Sequence, residues 1–207
     1  MPPLGPEDVH VWTVPLGRAD RQLARDRMRA ILGAYLDAPP AALQIELTAE
    51  GKPYLPTNPL HFNLSHSRNV ALVAVSRRAP VGIDLERARH FRAPDRLARR
   101  ICSEREYAAL GRLGNPAGAA LGRLGNPPGA ALDAQQQLLR LWVRKEAVLK
   151  GTGEGLARPL DEVDVLDDAV ADGWRCLDLP SPAPGFHAAL AVRAPAPAVS
   201  HHLFAPD

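Results

Sequence analysis

Residues 141 to 150 of the chain read LWVRKEAVLK. Read as a helix, this stretch repeats Trp142, Glu146 and Lys150 every four residues, so that the three side chains share one face. Only three of the 25 basic residues are lysines, and Lys145 and Lys150 are two of them. In a chain that otherwise uses Arg, a retained Lys indicates a position that needs a compact ammonium. An ordinary helix salt bridge between Glu146 and Lys150 is the alternative.

Length and composition limit the class of protein. The 207 residues suffice for one domain, or for two small halves, with a sizeable core. A net charge of +2 argues against a general polyanion binder, so we expect no nucleic-acid partner. The sequence shows neither a signal peptide nor an apolar run long enough for a membrane helix, and Cys102 and Cys176 are isolated. We therefore expect a cytoplasmic protein with no membrane contact.

The first half, residues 1–79, is expected to begin with a strand at 9–16 and a helix at 19–36. Arginines crowd the first turns of that helix, where positive charge opposes the helix dipole. They indicate either an anion site or simply a solvated basic face. Further strands are expected at residues 43–48 and 69–76.

The second half, residues 80–207, begins with VGIDLE at 81–86, which alternates strictly as a strand does. Asp84 and Glu86 then stand about 7 Å apart on the same side. Like charges placed so close repel each other unless a cation or a basic group lies between them. The pattern indicates a cation site or, alternatively, an exposed strand face with arginines nearby.

An internal repeat interrupts the second half. LGRLGNPAGAA at 110–120 is followed at once by LGRLGNPPGAA at 121–131, and the Gly, Asn and Pro exclude a continuous helix or strand. We interpret the repeat, residues 110–131, as a flexible surface loop lengthened by duplication. Helices are predicted at 95–110 and 136–150, strands at 161–167, 174–179 and 186–192, and a loose tail from Ala194.

The two halves repeat one order of elements. Each has a strand, a helix and further strands, of which the last end in ALVAVS and ALAVRA. This order indicates an internal pseudo-duplication, and the seam between such halves is the natural place for a site.

The residues suited to chemistry form an oxygen-only set. The chain contains neither a GxSxG nucleophile motif nor Cys and His at zinc-ligand spacing. Asp84, Glu86 and Glu146 offer carboxylates of the kind that bind Mg²⁺. With donors for phosphate nearby, they suggest metal-assisted phosphoryl or pyrophosphate chemistry, although each residue also has an ordinary structural explanation. The candidate anion ligands are Lys52 on a predicted turn, Ser65 and His66 on a predicted loop, and Lys150.

Five motifs follow one another along the chain: GKP at 51–53, FNLSHS at 62–67, VGIDLE at 81–86, CSEREYAAL at 102–110 and LWVRKEAVLKGTGEGL at 141–156. In order and approximate spacing the set resembles the 4′-phosphopantetheinyl transferases of the Sfp type. The resemblance implies an α+β fold, a pseudo-twofold pair of similar halves, each a small antiparallel sheet packed on a long helix. It also implies that coenzyme A and Mg²⁺ bind at the seam.

The resemblance further implies the reaction and the roles of three acids. The phosphopantetheine arm of coenzyme A moves to a serine of an apo acyl or peptidyl carrier protein, and 3′,5′-ADP is released. Asp84, Glu86 and Glu146 match the metal-binding acids of the family. Glu146 is also the candidate that takes the proton from the carrier serine, and Lys150 matches the lysine that neutralises the departing pyrophosphate.

The resemblance also assigns the residues that bind coenzyme A. Lys52, Ser65 and His66 match positions that hold its adenine, ribose-phosphate and pyrophosphate end. The family has a basic residue early in the first helix for the 3′-phosphate, which we assign to Arg21, with Arg18 and Arg25 as alternatives. Lys145 is either phosphate-facing or structural.

Two other classes of function remain at this point. One is a coenzyme A-binding protein of the same fold without transferase activity, and the other is a metal-dependent hydrolase of nucleotide pyrophosphates. The transferase is preferred because every acid and lysine of the motifs is present. The repeat lies where the family meets its carrier protein, and we expect that deleting one copy leaves coenzyme A turnover intact. The two-half organisation predicts a monomer.

Overall fold

The computed structural model describes residues 1–17, 20–58, 60–112 and 133–205. These residues form a mixed α+β protein in which two long helices each cover one sheet. The helices and strands are, in chain order, β1 (Asp8–Pro15), α1 (Arg21–Leu36), β2 (Glu46–Leu47), β3 (Pro53–Tyr54), β4 (His61–Ser67), β5 (Val70–Ser76), β6 (Val81–Arg87), α2 (Pro94–Ile101), α3 (Glu104–Arg112), α4 (Ala134–Thr152), β7 (Arg175–Leu179), β8 (Phe186–Val192) and β9 (Ala198–Leu203).

The main sheet of the first half has the strand order β4-β5-β1-β9 and packs on α1. Alternation along β5 gives this sheet two buried faces, because Val73 and Val75 pack towards α1 while Leu72 packs on the other side. Asp20 starts α1, since its carboxylate accepts the N–H of Leu23.

The strand β9 joins the first sheet although it belongs to the second half of the chain. It runs parallel to β1, with Val9 opposite Val199. The predicted loose tail from Ala194 is therefore wrong, because residues 198–203 pair with β1. The first main sheet is accordingly mixed rather than purely antiparallel, and residues 80–207 contribute one strand to it.

The second main sheet is antiparallel, with the strand order β6-β8-β7, and α4 packs on its outer face. A capping box of Asp133 and Gln136 starts α4, and Gly153, with a left-handed φ of 82°, ends it. The inner faces of the two main sheets pack against each other through apolar side chains, among them Val11 and Ile83. The layers therefore run α1, first sheet, second sheet, α4.

Several local predictions differ from the structure. The helix predicted at 95–110 is two helices, because Ser103 and Glu106 form reciprocal side-chain to backbone hydrogen bonds that start α3. The segment 161–167 is not a strand and begins within a 3-10 turn, Leu160–Glu162. Ser65 and His66 lie on β4 rather than on a loop.

Most of the duplicated segment, from residue 113 to 131, lies outside the described residues. In the part of the chain that the structure describes, no helix combines the length and the apolar character needed to span a membrane.

Candidate active site

A cavity of about 260 Å³ lies between the two halves. Lys52 and Asn63 line it from the first half, and Glu146 and Lys150 line it from α4. Gly153, at the end of α4, contributes to the same wall. The cavity therefore brings residues of both halves together at the seam, where a site is expected.

Side chains, rather than paired backbones, join the edge strands β4 and β6 beside this cavity. The N–H of Ile83 donates to Asn63 Oδ1 at 2.9 Å, and the N–H of Leu85 donates to Ser65 Oγ at 3.2 Å. Ser67 repeats the contact two residues further along β4. Since alternate side chains of a strand share a face, one face of β4 fixes the position of β6 and of its acidic side.

Asp84 is the buried centre of the site. Its Oδ1 accepts hydrogen bonds from the Ser65 hydroxyl at 2.9 Å and from the Lys150 ammonium at 2.6 Å. Its Oδ2 is buried and has no hydrogen-bond partner among the described residues. A buried carboxylate oxygen without a partner is costly unless a cation or another ligand satisfies it.

The other two acids, Glu86 and Glu146, are partly buried and lie near other carboxylates. Burial raises the pKa of Glu146 above its ordinary value, and the charge of Asp84 raises it further. The same two causes raise the pKa of Glu86. Lys150 opposes both shifts and does not cancel them. Within the ranges described, no three His, Cys, Asp or Glu side chains already stand close enough to bind one metal ion.

Basic residues border the acids on the side of α1. Burial lowers the pKa of His66, and the nearby charges of Arg21, Lys150 and Arg25 lower it further. Arg21 and Arg25 are exposed and one helical turn apart at the start of α1. The structure thus brings together Arg21, Arg25 and His66 as predicted anion ligands, while Arg18 lies outside the described residues.

Lys52 lines the cavity, but its ammonium is already engaged. It donates to the carbonyl of Gly151 and, at 3.3 Å, to the carbonyl of Val81. Burial lowers the pKa of Lys52 to about 8. Ser65 is likewise engaged, because it is buried, its hydroxyl donates to Asp84, and it accepts a hydrogen bond from the Lys150 ammonium.

Lys145 does not contact the cavity. Its side chain is fully buried, forms an ion pair of 2.7 Å with Glu106 and donates to the carbonyls of Leu160 and Val163. The assignment of Lys145 to coenzyme A is therefore corrected to the structural alternative. A helix turns by about 100° per residue, so Lys145 points away from the face that Glu146 occupies.

Asn63 is a residue of the candidate site that was not predicted from the sequence. It is buried, lines the cavity and accepts the N–H of Ile83. The signal was present in FNLSHS, because Asn63, Ser65 and Ser67 recur with the period of two that a strand requires.

Glu146 and Lys150 line the cavity, and Asp84 pairs with Lys150. Carboxylates next to basic groups are typical of sites for a cation and a phosphate-rich ligand. Residues 80–188 match the sequence profile of the 4′-phosphopantetheinyl transferase superfamily. The chain belongs to this superfamily.

Three curated relatives are similar to the chain. The 4′-phosphopantetheinyl transferase HetI of Nostoc sp. is 31% identical over 192 residues, which cover 77% of this chain and 74% of that protein. A 4′-phosphopantetheinyl transferase of Bacillus subtilis is 33% identical over 144 residues, covering 68% of this chain and 54% of that protein. The transferase Sfp of Bacillus subtilis strain 168 is 28% identical over 167 residues, covering 78% and 64%.

Proposed function

We propose that this protein transfers the 4′-phosphopantetheine arm of coenzyme A to a serine of an apo acyl or peptidyl carrier protein and releases 3′,5′-ADP. Membership of the superfamily and the names of the relatives support an enzyme of this class. The observation that carries the proposal is that Glu146 and Lys150 line the cavity, while Asp84 pairs with Lys150 and, like Glu86, acts electrostatically on Glu146. Phosphoryl transfer depends chiefly on positioning and on neutralising charge, and this set offers both.

Asp84, Glu86 and Glu146 are the residues we assign to Mg²⁺. Two features of the structure support the fit: the buried Asp84 Oδ2 has no hydrogen-bond partner, and mutual repulsion contributes to the raised pKa of Glu86 and Glu146. An oxygen-only donor set suits a hard cation. When bound, Mg²⁺ supplies charge neutralisation to the pyrophosphate.

Glu146 is the proposed general base. The serine oxygen forms a bond to the phosphorus that carries the pantetheine arm, and the bond from that phosphorus to the bridging oxygen of 3′,5′-ADP breaks. The serine proton goes to Glu146, directly or through one water. A raised pKa makes the Glu146 carboxylate a stronger base than an ordinary glutamate. Lys150 neutralises negative charge on the departing 3′,5′-ADP.

The basic border is the proposed binding site for the anionic end of coenzyme A. Arg21 and Arg25 offer guanidinium groups for phosphate, and His66, whose pKa is lowered, offers a neutral imidazole as a hydrogen-bond donor. Lys52 faces the same cavity. Ser65 acts indirectly, because it orients Asp84.

We also propose that the protein works as a cytoplasmic monomer and that its halves are related by a pseudo-twofold axis. The similar pairing of a long helix with a sheet in each half supports the symmetry. The buried free thiols of Cys102 and Cys176 agree with a reducing compartment.

The test is to incubate the protein with coenzyme A, Mg²⁺ and an apo carrier and then to weigh the carrier. A gain of about 340 Da, the covalent mass of the arm, is expected, and chelation of Mg²⁺ should abolish it. Release of 3′,5′-ADP without a mass gain on any of several carriers would indicate a pyrophosphate hydrolase. Binding of coenzyme A without either product would indicate a binding protein.

A further inference from the structure

Lys52 lies on a turn closed by two hydrogen bonds to Thr48, and its side chain extends from the first half to the second. Its backbone N–H donates to Thr48 Oγ1 at 3.2 Å, and its carbonyl accepts the N–H of Thr48 at 2.9 Å. Its aliphatic stem passes the end of α4, since a Cβ added to Gly153 would stand 3.2 Å from Lys52 Cδ. The ammonium then contacts the carbonyls of Gly151 and Val81. One side chain of the first half thus joins two elements of the second.

The two carbonyls occupy informative positions. Gly151 lies in the last turn of α4, where carbonyls lack partners within the helix and a cation offsets the helix dipole. Val81 is the first residue of β6. An ammonium has three donors, and these carbonyls take two of them. Lys52 therefore ties the end of α4 to the start of β6.

A second contact holds the same two elements together without any side chain. A Cβ added to Gly82 would lie 2.1 Å from the carbonyl oxygen of Ala147 and 2.2 Å from the nitrogen of Gly151. A Cβ added to Gly151 would lie 3.3 Å from the nitrogen of Gly82. At these distances β6 and α4 meet backbone to backbone, an approach that only glycine permits.

We infer that Lys52 is a positioning residue, whose ammonium sets the spacing between the acids of β6 and Glu146 on α4. Asp84 follows Gly82 by two residues, and Lys150 immediately precedes Gly151, so a shift at this contact moves both groups. The identity of the groups so positioned rests on the proposed function. This role is additional to any contact that the third donor of Lys52 makes with coenzyme A.

The experiment measures metal binding without coenzyme A, using Mn²⁺ as the probe and electron paramagnetic resonance as the readout. Lys52→Met keeps the stem and removes the donors, and it should weaken Mn²⁺ binding by about tenfold, the lower end for residues that orient metal ligands. In the transfer assay its kcat should fall by about 30-fold, as expected for a small misplacement, with a smaller change in KM for coenzyme A. Gly82→Ala should act in the same direction, because its methyl group would displace β6 from α4.

Two variants serve as matched controls. Arg29 is also a basic side chain that holds two carbonyls, of Pro40 at 3.0 Å and of Leu43 at 2.5 Å, but it does not line the cavity. Arg29→Met should therefore lower thermal stability without changing Mn²⁺ affinity. Gly111→Ala adds a methyl group that meets no atom of the described residues, and it should leave Mn²⁺ affinity unchanged.

The outcomes separate this inference from the proposed function. Equal Mn²⁺ affinity in the wild type and in Lys52→Met overturns the positioning role, and a raised KM for coenzyme A as the only change assigns Lys52 to ligand binding alone. An equal loss of affinity in Arg29→Met also overturns it, because the effect would then follow stability. Weaker Mn²⁺ binding by Lys52→Met in a protein that transfers nothing supports the positioning role while overturning the transferase.

Discussion

Both sides of α4 carry acidic and basic contacts, but the charges are paired on one side and largely unbalanced on the other. On the side away from the cavity, Lys145 is fully buried against Glu106, and Arg144 is fully buried against the Val165 carbonyl and Asp178. On the cavity side, Glu146 lies among carboxylates that repel it, with Lys150 opposing them only in part.

The contrast shows that one side of α4 stabilises the fold while the other side carries charged groups of the candidate site. A buried charge is tolerable when an opposite charge and hydrogen bonds satisfy it, and it then fixes the packing. An excess of one sign, kept partly exposed, remains available for a cation or a proton. The difference between the sides of α4 can be tested by removing charge from each in turn.

The largest effect is expected on the cavity side. Glu146→Gln removes the proposed base while keeping the shape of the side chain, so transfer should fall by about 10³-fold. The fold should be preserved, because Gln relieves repulsion rather than breaking a matched pair. Mass spectrometry of the carrier measures the first effect, and circular dichroism the second. Full activity in this variant would remove Glu146 from the catalytic role.

The next largest effect is expected on the opposite side. Glu106→Gln leaves the buried ammonium of Lys145 without its counter-charge, and it should lower the free energy of unfolding by roughly 3 kcal/mol. Urea titration measures this loss. Mn²⁺ affinity should not change, because neither residue lines the cavity.

A matched control for that variant is the exposed pair of Arg99 and Asp95. Arg99→Gln should cost much less stability, because exposed ion pairs are well solvated even when broken. A comparable loss in the two variants would contradict the distinction between buried and exposed pairs.

A smaller effect concerns pH and metal. Because burial and Asp84 raise the pKa of Glu86, the folded protein holds this proton more tightly than the unfolded chain does. The resulting stabilisation is present below the ordinary glutamate pKa and is lost as the pH rises through the raised value. At neutral pH without metal, Glu86→Gln should therefore unfold at a higher temperature than the wild type.

Two observations would check the origin of this difference. The gap between Glu86→Gln and the wild type should close below the ordinary glutamate pKa, where both side chains are neutral. Added Mg²⁺ should raise the unfolding temperature of the wild type more than that of the variant, because ligand binding stabilises only the form that binds. A metal-free variant less stable than the wild type at neutral pH would contradict the repulsion.

The smallest effect is expected from the repeat. Deleting residues 121–131 removes one of two nearly identical copies, and loop length has little influence on stability. We expect the same rate of coenzyme A turnover as in the wild type, measured with one carrier at several concentrations. Loss of folding or activity would show that the second copy is more than a lengthened loop.

Much of the site could be predicted from local patterns. The period of two in VGIDLE placed Asp84 and Glu86 on one side of β6, and the spacing of four placed Glu146 and Lys150 on one face of α4. These inferences depend only on backbone geometry. They held because each pair belongs to a single element.

Contacts between distant segments could not be predicted in this way. The sequence marks Lys52 as an unusual lysine but does not reveal that Gly151 and Val81 receive its ammonium. Lys145 is equally unusual, and it pairs with Glu106 on α3. The sequence predicts one continuous helix at 95–110 and does not indicate that α3 is separate. A lysine alone does not tell whether its counter-charge is a ligand or a neighbouring helix.

The pairing of β9 with β1 has a consequence for how the chain is made on the ribosome. Val9 emerges early, but Val199, its partner across the strands, emerges only after the strands of the second sheet. Until then β1 presents an open edge to any other extended segment. The first sheet is therefore complete only once β9 has been synthesised. Because β9 follows the strands of the second sheet along the chain, completion of the first sheet depends on synthesis of the second.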